Sequence, residues 1–158
     1  MGSSASMEKD AVARAFGKRT WGGRLSDSVV LIDDSLEILT AVGYLLRSAG
    51  YEVHSASDGM SGLSLVRKFR PKVVIVDVFI PHMSGYEVID NIRADATLQG
   101  VFIIMCTGMA RSEAELLEMR GGADLCLAKP VDTDNLVEAV ARAFKSNATD
   151  PGLLKHLQ

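Results

Sequence analysis

The sequence predicts an α/β fold, a doubly wound five-stranded parallel sheet with helices on both faces, and three observations carry that expectation. From Val29 onward, short β-rich apolar runs alternate with longer stretches of helical period, the pattern of repeated βαβ units. Four of the five runs are nearly continuous in apolar residues, as strands covered on both faces must be. Gly50, Gly59, Gly85 and the Gly121-Gly122 pair fall between the runs, where a residue free to take positive φ is most useful.

The expected strands are Val29 to Ile32, Tyr51 to Ser55, Lys72 to Val76, Val101 to Cys106 and Asp124 to Ala128. The second alternates as Tyr51-Glu52-Val53-His54 and is therefore placed at an edge. The first helix carries Leu36, Leu39, Val42 and Leu46 on one side, and the last carries Leu136, Val137, Val140, Ala141 and Phe144, so both can cover a sheet. The core is expected over residues 28–145, between a leader, 1–27, and a tail, 146–158. Met1 to Ser6 is small and polar and stays outside fold reasoning, with Met7 a plausible natural start. Residues 8–21 offer Val12, Ala15, Phe16 and Trp21 to a short amphipathic helix or form a disordered leader, and the tail reads as a linker stub or a docking turn around Leu153, Leu154 and Leu157.

Bulk properties narrow the function. Seventeen basic and 20 acidic residues give a net charge of -3, which offers no basic footprint for nucleic acid or an anionic membrane. The apolar runs are far shorter than the roughly 18 residues of a spanning helix. No secretory signal is present, which favours the cytoplasm and makes the Asn147-Ala148-Thr149 triplet a chance glycosylation match. Cys106 and Cys126 lie in apolar runs, as small buried hydrophobes do. His54, His82 and His156 are too scattered for a metal cluster or a catalytic dyad and read as solvated, while Met105 and Met119 read as core filler or exposed helix residues.

In a parallel α/β sheet the ligand site lies beyond the carboxyl ends of the strands. Here the first strand ends in Asp33-Asp34, the third in Asp77, the fourth in Thr107 and the fifth in Lys129-Pro130. Each alone has a plain reading: Asp33-Asp34-Ser35 as a helix cap, Asp77 and Thr107 as turn residues, Lys129 as a solvated lysine. Acid, acid, hydroxyl and ammonium on separate strand ends of one rim are together a site. Clustered carboxylates repel unless a cation sits among them, and hard oxygen ligands favour Mg²⁺ over zinc.

At these residues the sequence resembles the response-regulator receiver domains. The matching stretches are Val-Leu-Ile-Asp33-Asp34, Val-Val-Ile-Val-Asp77-Val-Phe-Ile-Pro81-His-Met-Ser-Gly85, Cys-Thr107-Gly108 and Gly122-Ala-Asp-Leu-Cys-Leu-Ala-Lys129-Pro130, which together span essentially the whole core. The resemblance implies a flavodoxin-like sheet of order 2-1-3-4-5. It implies Asp77 as phosphoacceptor, Asp34 and Asp77 as direct Mg²⁺ ligands, Asp33 as a ligand through water, and the backbone carbonyl of Phe79 as a further ligand. Thr107 and Lys129 would contact the phosphoryl oxygens, and the donor would be a phosphohistidine on a sensor histidine kinase or a phosphotransfer protein. Such a domain catalyses its own modification and turns over no external substrate.

The chain also departs from that pattern. Cys126 stands where most of the family has Tyr or Phe, three residues before the lysine; Phe79 and Met109 are apolar where polar residues are frequent; Val131 replaces a frequent aromatic. A thiol cannot act as the aromatic readout, so the signal is expected to leave through the Thr107 to Arg111 loop with Cys126 as passive packing. Two other classes remain in view. A phosphatase of the haloacid-dehalogenase kind wants an acid two residues after the nucleophile, where Phe79 stands, and needs room for a cap domain. An interaction module that is never phosphorylated is favoured by Cys126 and disfavoured by the five retained site residues.

Overall fold

The computed structural model describes residues 25–145. The elements are β1 (Ser26–Ile32), α1 (Leu36–Ser48), β2 (Glu52–Ala56), α2 (Gly59–Phe69), β3 (Pro71–Asp77), α3 (Gly85–Ala94), a 3-10 turn (Ala96–Leu98), β4 (Phe102–Thr107), α4 (Glu113–Met119), β5 (Leu125–Ala128) and α5 (Thr133–Lys145). All strand pairs are parallel, in the order β2-β1-β3-β4-β5. The expected topology is therefore the observed one, with β2 at one edge and β5 at the other. The strand limits move by a residue or so, except that β1 starts at Ser26: its N–H donates to the Arg70 carbonyl and its hydroxyl to the Phe69 carbonyl, so the first strand begins inside the stretch read as leader. The possible helix over 8–21, the tail leucines, the Asn147 triplet and His156 lie outside the described residues.

Because successive side chains of a strand point to opposite faces, the continuous apolar runs supply two cores. Val29, Leu31, Val73, Ile75, Phe102, Ile104 and Cys106 face α1 and α5, meeting Val42, Leu46, Leu136, Ala139, Val140 and Ala143. Val30, Ile32, Val74, Val76, Ile103, Met105 and Cys126 face α2, α3 and α4, meeting Leu63, Val66, Val88, Ile89 and Ile92. Each fully buried aliphatic side chain contributes about 1.5–3 kcal/mol relative to exposure. Hence the three central strands hold the rim residues rigidly.

Several expectations need correction. Leu36 is 77% exposed, since it opens α1 beyond the sheet; Val42, Gly43 and Leu46 form the buried stripe instead. In α5, Ala139 and Ala143 join Leu136 and Val140 in the buried face, which lets the helix lie close to the sheet. His54 is not a solvated side chain: its ring stacks on Phe69 with centroids 3.6 Å apart and bonds Glu52 Oε1 at 3.0 Å. His82 is exposed, as expected, and takes φ 68°. Met105 is core, and Met119 is partly buried against the second core.

Only two of the five singled-out glycines serve by positive φ, Gly50 at 98° and Gly121 at 56°. Gly59 and Gly85 serve by lacking a side chain. A Cβ on Gly85 would lie 2.3 Å from the Asp77 carbonyl oxygen, and one on Gly59 2.4 Å from that of Met83. Backbone cannot yield as a flexible side chain can. Gly85→Ala is accordingly expected to destabilise the fold by about 1–3 kcal/mol in urea unfolding, the range for an overpacked site. Gly108→Ala, whose added Cβ meets nothing within 4 Å, serves as the neutral control.

Candidate functional site

The rim at the carboxyl ends of the strands is assembled by register. Asp77 closes β3 opposite Cys106, and Thr107 closes β4 opposite Ala128, one residue before Lys129. Asp33 and Asp34 follow β1 directly and lead into α1. There the capping and site readings coexist: Asp33 Oδ1 accepts the Ser35 N–H at 2.9 Å, and the Ser35 hydroxyl accepts the Ile38 N–H at 3.4 Å. Backbone bonds fix the rim further. The Lys129 N–H donates to the Thr107 carbonyl at 2.8 Å, Val78 N–H to Cys106 at 3.2 Å, and Gly85 N–H to Val78 at 2.8 Å.

Carboxylate oxygens of Asp33, Asp34 and Asp77 all lie within 4.8 Å of one another. Asp33 and Asp77 are buried, whereas Asp34 is exposed, so the cluster opens to solvent on one side. Lys129 Nζ bridges the two buried acids, donating to Asp33 Oδ2 at 2.8 Å and to Asp77 Oδ2 at 3.0 Å. Burial alone lowers the lysine pKa, but the two carboxylates more than offset it and hold the ammonium above its ordinary value. Three carboxylates against one ammonium leave the cluster net negative. Its donors are all oxygens, its acids stand within one ion's reach, and one of them faces water, so it can hold a hard divalent cation.

Thr107 is fully buried, and its hydroxyl oxygen accepts the Met109 N–H at 3.1 Å. The hydroxyl oxygen is thus tied to the loop that follows β4. Phe79, in the loop leaving β3, is 62% exposed, and Met109, in the loop leaving β4, is 61% exposed. An apolar cavity of about 590 Å³ between α1 and α5 opens onto the rim; Ile38, Val42, Cys106, Val131 and Leu136 line it below Asp33, Asp77 and Lys129. The structure therefore brings Asp33, Asp34, Asp77 and Lys129 together and joins Thr107 to them through backbone.

Two side chains of α3, one cationic and one aromatic, carried no sequence signal that singled them out. Arg93 of α3 forms an ion pair with Asp124 at 2.6 Å and donates to the Gly122 and Val101 carbonyls. Tyr86 donates its hydroxyl to the Met119 carbonyl at 2.7 Å. Both partners lie some 30 residues downstream, beyond the reach of helical periodicity.

Comparison with known proteins gives this arrangement its family. The family model described as response regulator receiver domain matches residues 29–141. The chain belongs to the response regulator receiver domains. This receiver is 30% identical over 123 residues to the DNA-binding response regulator MtrA of Mycobacterium tuberculosis, covering 78% of the chain and 53% of that protein. It is 27% identical over 128 residues to the DNA-binding dual master transcriptional regulator RpaA of a Synechocystis species, covering 81% of the chain and 53% of RpaA. The chain thus spans about half the length of these curated relatives. Among solved structures, chemotaxis response regulator CheY4 of Vibrio cholerae matches with TM-score 0.67 and 32% identity, over 76% of this chain and 99% of that one. The receiver domain of sensor histidine kinase PA1611 of Pseudomonas aeruginosa, solved with a magnesium ion in its active-site cleft, matches with TM-score 0.68 and 26% identity over 77% and 99%. The receiver is a signal-receiving domain of two-component systems, and among the described residues no helix is long and apolar enough to cross a membrane.

The two cysteines of the receiver lie on opposite faces of the sheet, Cys106 in the first core and Cys126 in the second. Burial pushes the Cys106 thiol up to about 12 and the Cys126 thiol up to about 11, the latter opposed by the nearby Arg120. Both thiols are expected to stay unreactive toward a disulfide reagent at pH 8 in the native protein and to react fully once it is unfolded. Their raised values also mean that the stability they contribute is complete below pH 9, where the unfolded thiols are still protonated. It is lost as pH rises through about 11–12, which an alkaline melting series would show.

Proposed function

We propose that this receiver accepts a phosphoryl group on Asp77 from a phosphohistidine of a sensor histidine kinase or a phosphotransfer protein, with Mg²⁺ at Asp33, Asp34 and Asp77. The observation that carries the assignment is the Lys129 bridge: Asp77 is the acid at the centre of the sheet that shares its cation with a second buried acid and borders the third. A carboxylate oxygen of Asp77 attacks phosphorus, the phosphorus–nitrogen bond breaks with its electron pair going to the ring nitrogen, and the imidazole, already carrying a proton on its other nitrogen, leaves neutral. When bound, Mg²⁺ supplies neutralisation of phosphoryl charge. Asp34 and Asp77 would bind it directly, Asp33 through water, and the Phe79 carbonyl would complete the protein ligands. The Lys129 ammonium transfers from Asp33 to the phosphoryl oxygens, and the Thr107 hydroxyl leaves the Met109 N–H to donate to them. Gly108, open around its Cα, leaves the donor room to approach.

On this reading the chain is no enzyme in the sense of turning over a substrate: the acyl phosphate on Asp77 is both product and signal. The DNA-binding named for MtrA and RpaA belongs to proteins about twice as long, and the receiver, with its net charge of -3, is assigned no nucleic acid. Its place is the cytoplasm, where its phosphodonors work. Phe79 supports this reading over a phosphatase, because the exposed ring offers no acid two residues beyond Asp77.

Mass spectrometry after incubation with Mg²⁺ and acetyl phosphate is expected to show a single added phosphoryl group on the wild type and none on Asp77→Asn. Labelling of that variant at the wild-type rate would place the acceptor elsewhere. Mg²⁺ at a hundredfold excess over its Kd is expected to stabilise the wild type by about 2.7 kcal/mol through simple linkage. Thermal melts with and without the ion should lose that increment in Asp34→Ala.

A further inference from the structure

Among the described residues, the side-chain hydrogen bonds at the two ends of α4 differ in reach. At its N-terminal end the described contacts are local: the Ser112 hydroxyl accepts the Glu115 N–H, and the Glu115 carboxylate accepts the Arg111 N–H. The loop before it is open, with Gly108 touching nothing within 4 Å of a would-be Cβ and Met109 exposed. At its C-terminal end the contacts reach across the protein to α3. Tyr86 donates to the Met119 carbonyl, one of the last carbonyls that a helix leaves without an internal donor. The Tyr86 ring also lies 3.4 Å from where a Cβ on Gly121 would stand. Seven residues along the same face of α3, Arg93 donates to the Gly122 carbonyl at 2.9 Å and pairs with Asp124, whose Oδ2 accepts the Ile103 N–H at 2.8 Å.

The anchor has a fixed reference. Tyr86 follows Gly85, which is held against the Asp77 carbonyl with no space for a side chain and donates its N–H to Val78. The start of α3, from which the ring projects, is therefore packed on the backbone that follows β3. Burial, and the neighbouring Cys126 to a lesser degree, raise the phenol above its ordinary value, so it remains a donor throughout the neutral range. The Tyr86 ring packs against the cluster of buried residues to which Cys126 belongs.

Resting on the receiver reading above, we propose that Tyr86 is a positioning residue of the switch: its hydroxyl pins the C-terminal end of α4 to α3. Phosphorylation at Asp77 then swings α4 about Met119 and moves its N-terminal end. The signal enters at the Thr107 to Ser112 loop, and the fixed end converts that displacement into a tilt of the whole helix. This gives a receiver without an aromatic side chain on β5 a defined output motion.

The test is hydrogen exchange by mass spectrometry on the full chain with Mg²⁺, with and without beryllofluoride as the phosphoryl mimic, for wild type, Tyr86→Phe and Tyr86→Leu. In the wild type, beryllofluoride should change exchange strongly over residues 108–112 and weakly over 117–123. Without the mimic, Tyr86→Phe should exchange about fivefold faster than wild type over 119–123, the factor a single hydrogen bond confers. With the mimic, its response should spread into 117–123, while acetyl phosphate labels Asp77 within twofold of the wild-type rate. If Tyr86→Phe matches the wild type and only Tyr86→Leu loosens 119–123, the ring is filler and the proposal falls. It falls equally if both ends of α4 respond alike in the wild type. Absence of any wild-type response to beryllofluoride would instead overturn the receiver reading, and the switch role with it, even if Tyr86→Phe still accelerates exchange at 119–123.

Discussion

The Lys129 ammonium between Asp33 and Asp77 is the constraint from which the rest of the receiver's architecture can be read. Two buried carboxylates a few ångströms apart repel unless a cation is held between them, and removing that cation from a buried pair typically costs about 3–5 kcal/mol. The cation must arrive from a different strand and stop in register. That requirement fixes where β5 ends, and the backbone bond from Lys129 N–H to the Thr107 carbonyl enforces it. The sheet order brings β1 and β3 side by side, so the two acids meet without either loop having to reach. Apolar packing on both faces then makes these strand ends stiff enough to keep like charges in place.

The same arrangement explains how the site is poised. With Lys129 spread over two acids, an arriving divalent ion or phosphoryl group competes for partners that are already organised, and ordering entropy has been met in folding. Thr107 waits in a different way. Its hydroxyl oxygen accepts the Met109 N–H, which ties the start of the loop to the end of β4. On the proposed function, a displacement of that hydroxyl carries into the loop, the kind of two-state element on which switching depends.

Much of this was legible in the sequence because its causes are local in sequence or repeat along it. Continuous apolar runs marked β1, β3, β4 and β5, the alternation of Glu52-Val53-His54 marked β2 as an edge, and reading the residue after each run named Asp33, Asp34, Asp77, Thr107 and Lys129. What periodicity could not show was contact between distant segments. Leu36 fits the helical stripe of α1 yet projects past the sheet, because a helix begins beyond the rim it covers. Gly85 reads as a turn glycine, but its value lies in the 2.3 Å between a missing Cβ and the Asp77 carbonyl. His54 reads as solvated until Phe69, at the end of α2, is seen lying flat upon it. Tyr86 and Arg93 have partners some 30 residues away, which no spacing rule connects.

The two edges of the sheet have a consequence for how the protein behaves in crowded solution. An open strand edge is a template for pairing with another chain, and long, flat, apolar edges are the hazardous ones. The β2 edge carries the charged Glu52 bonded to His54, on whose ring Phe69 stacks, and β5 is only four residues long, with Pro130 two residues beyond its end. Proline there has no N–H to offer an incoming strand. Among the described residues, then, neither border of the sheet offers a long, flat apolar edge on which another chain could template itself.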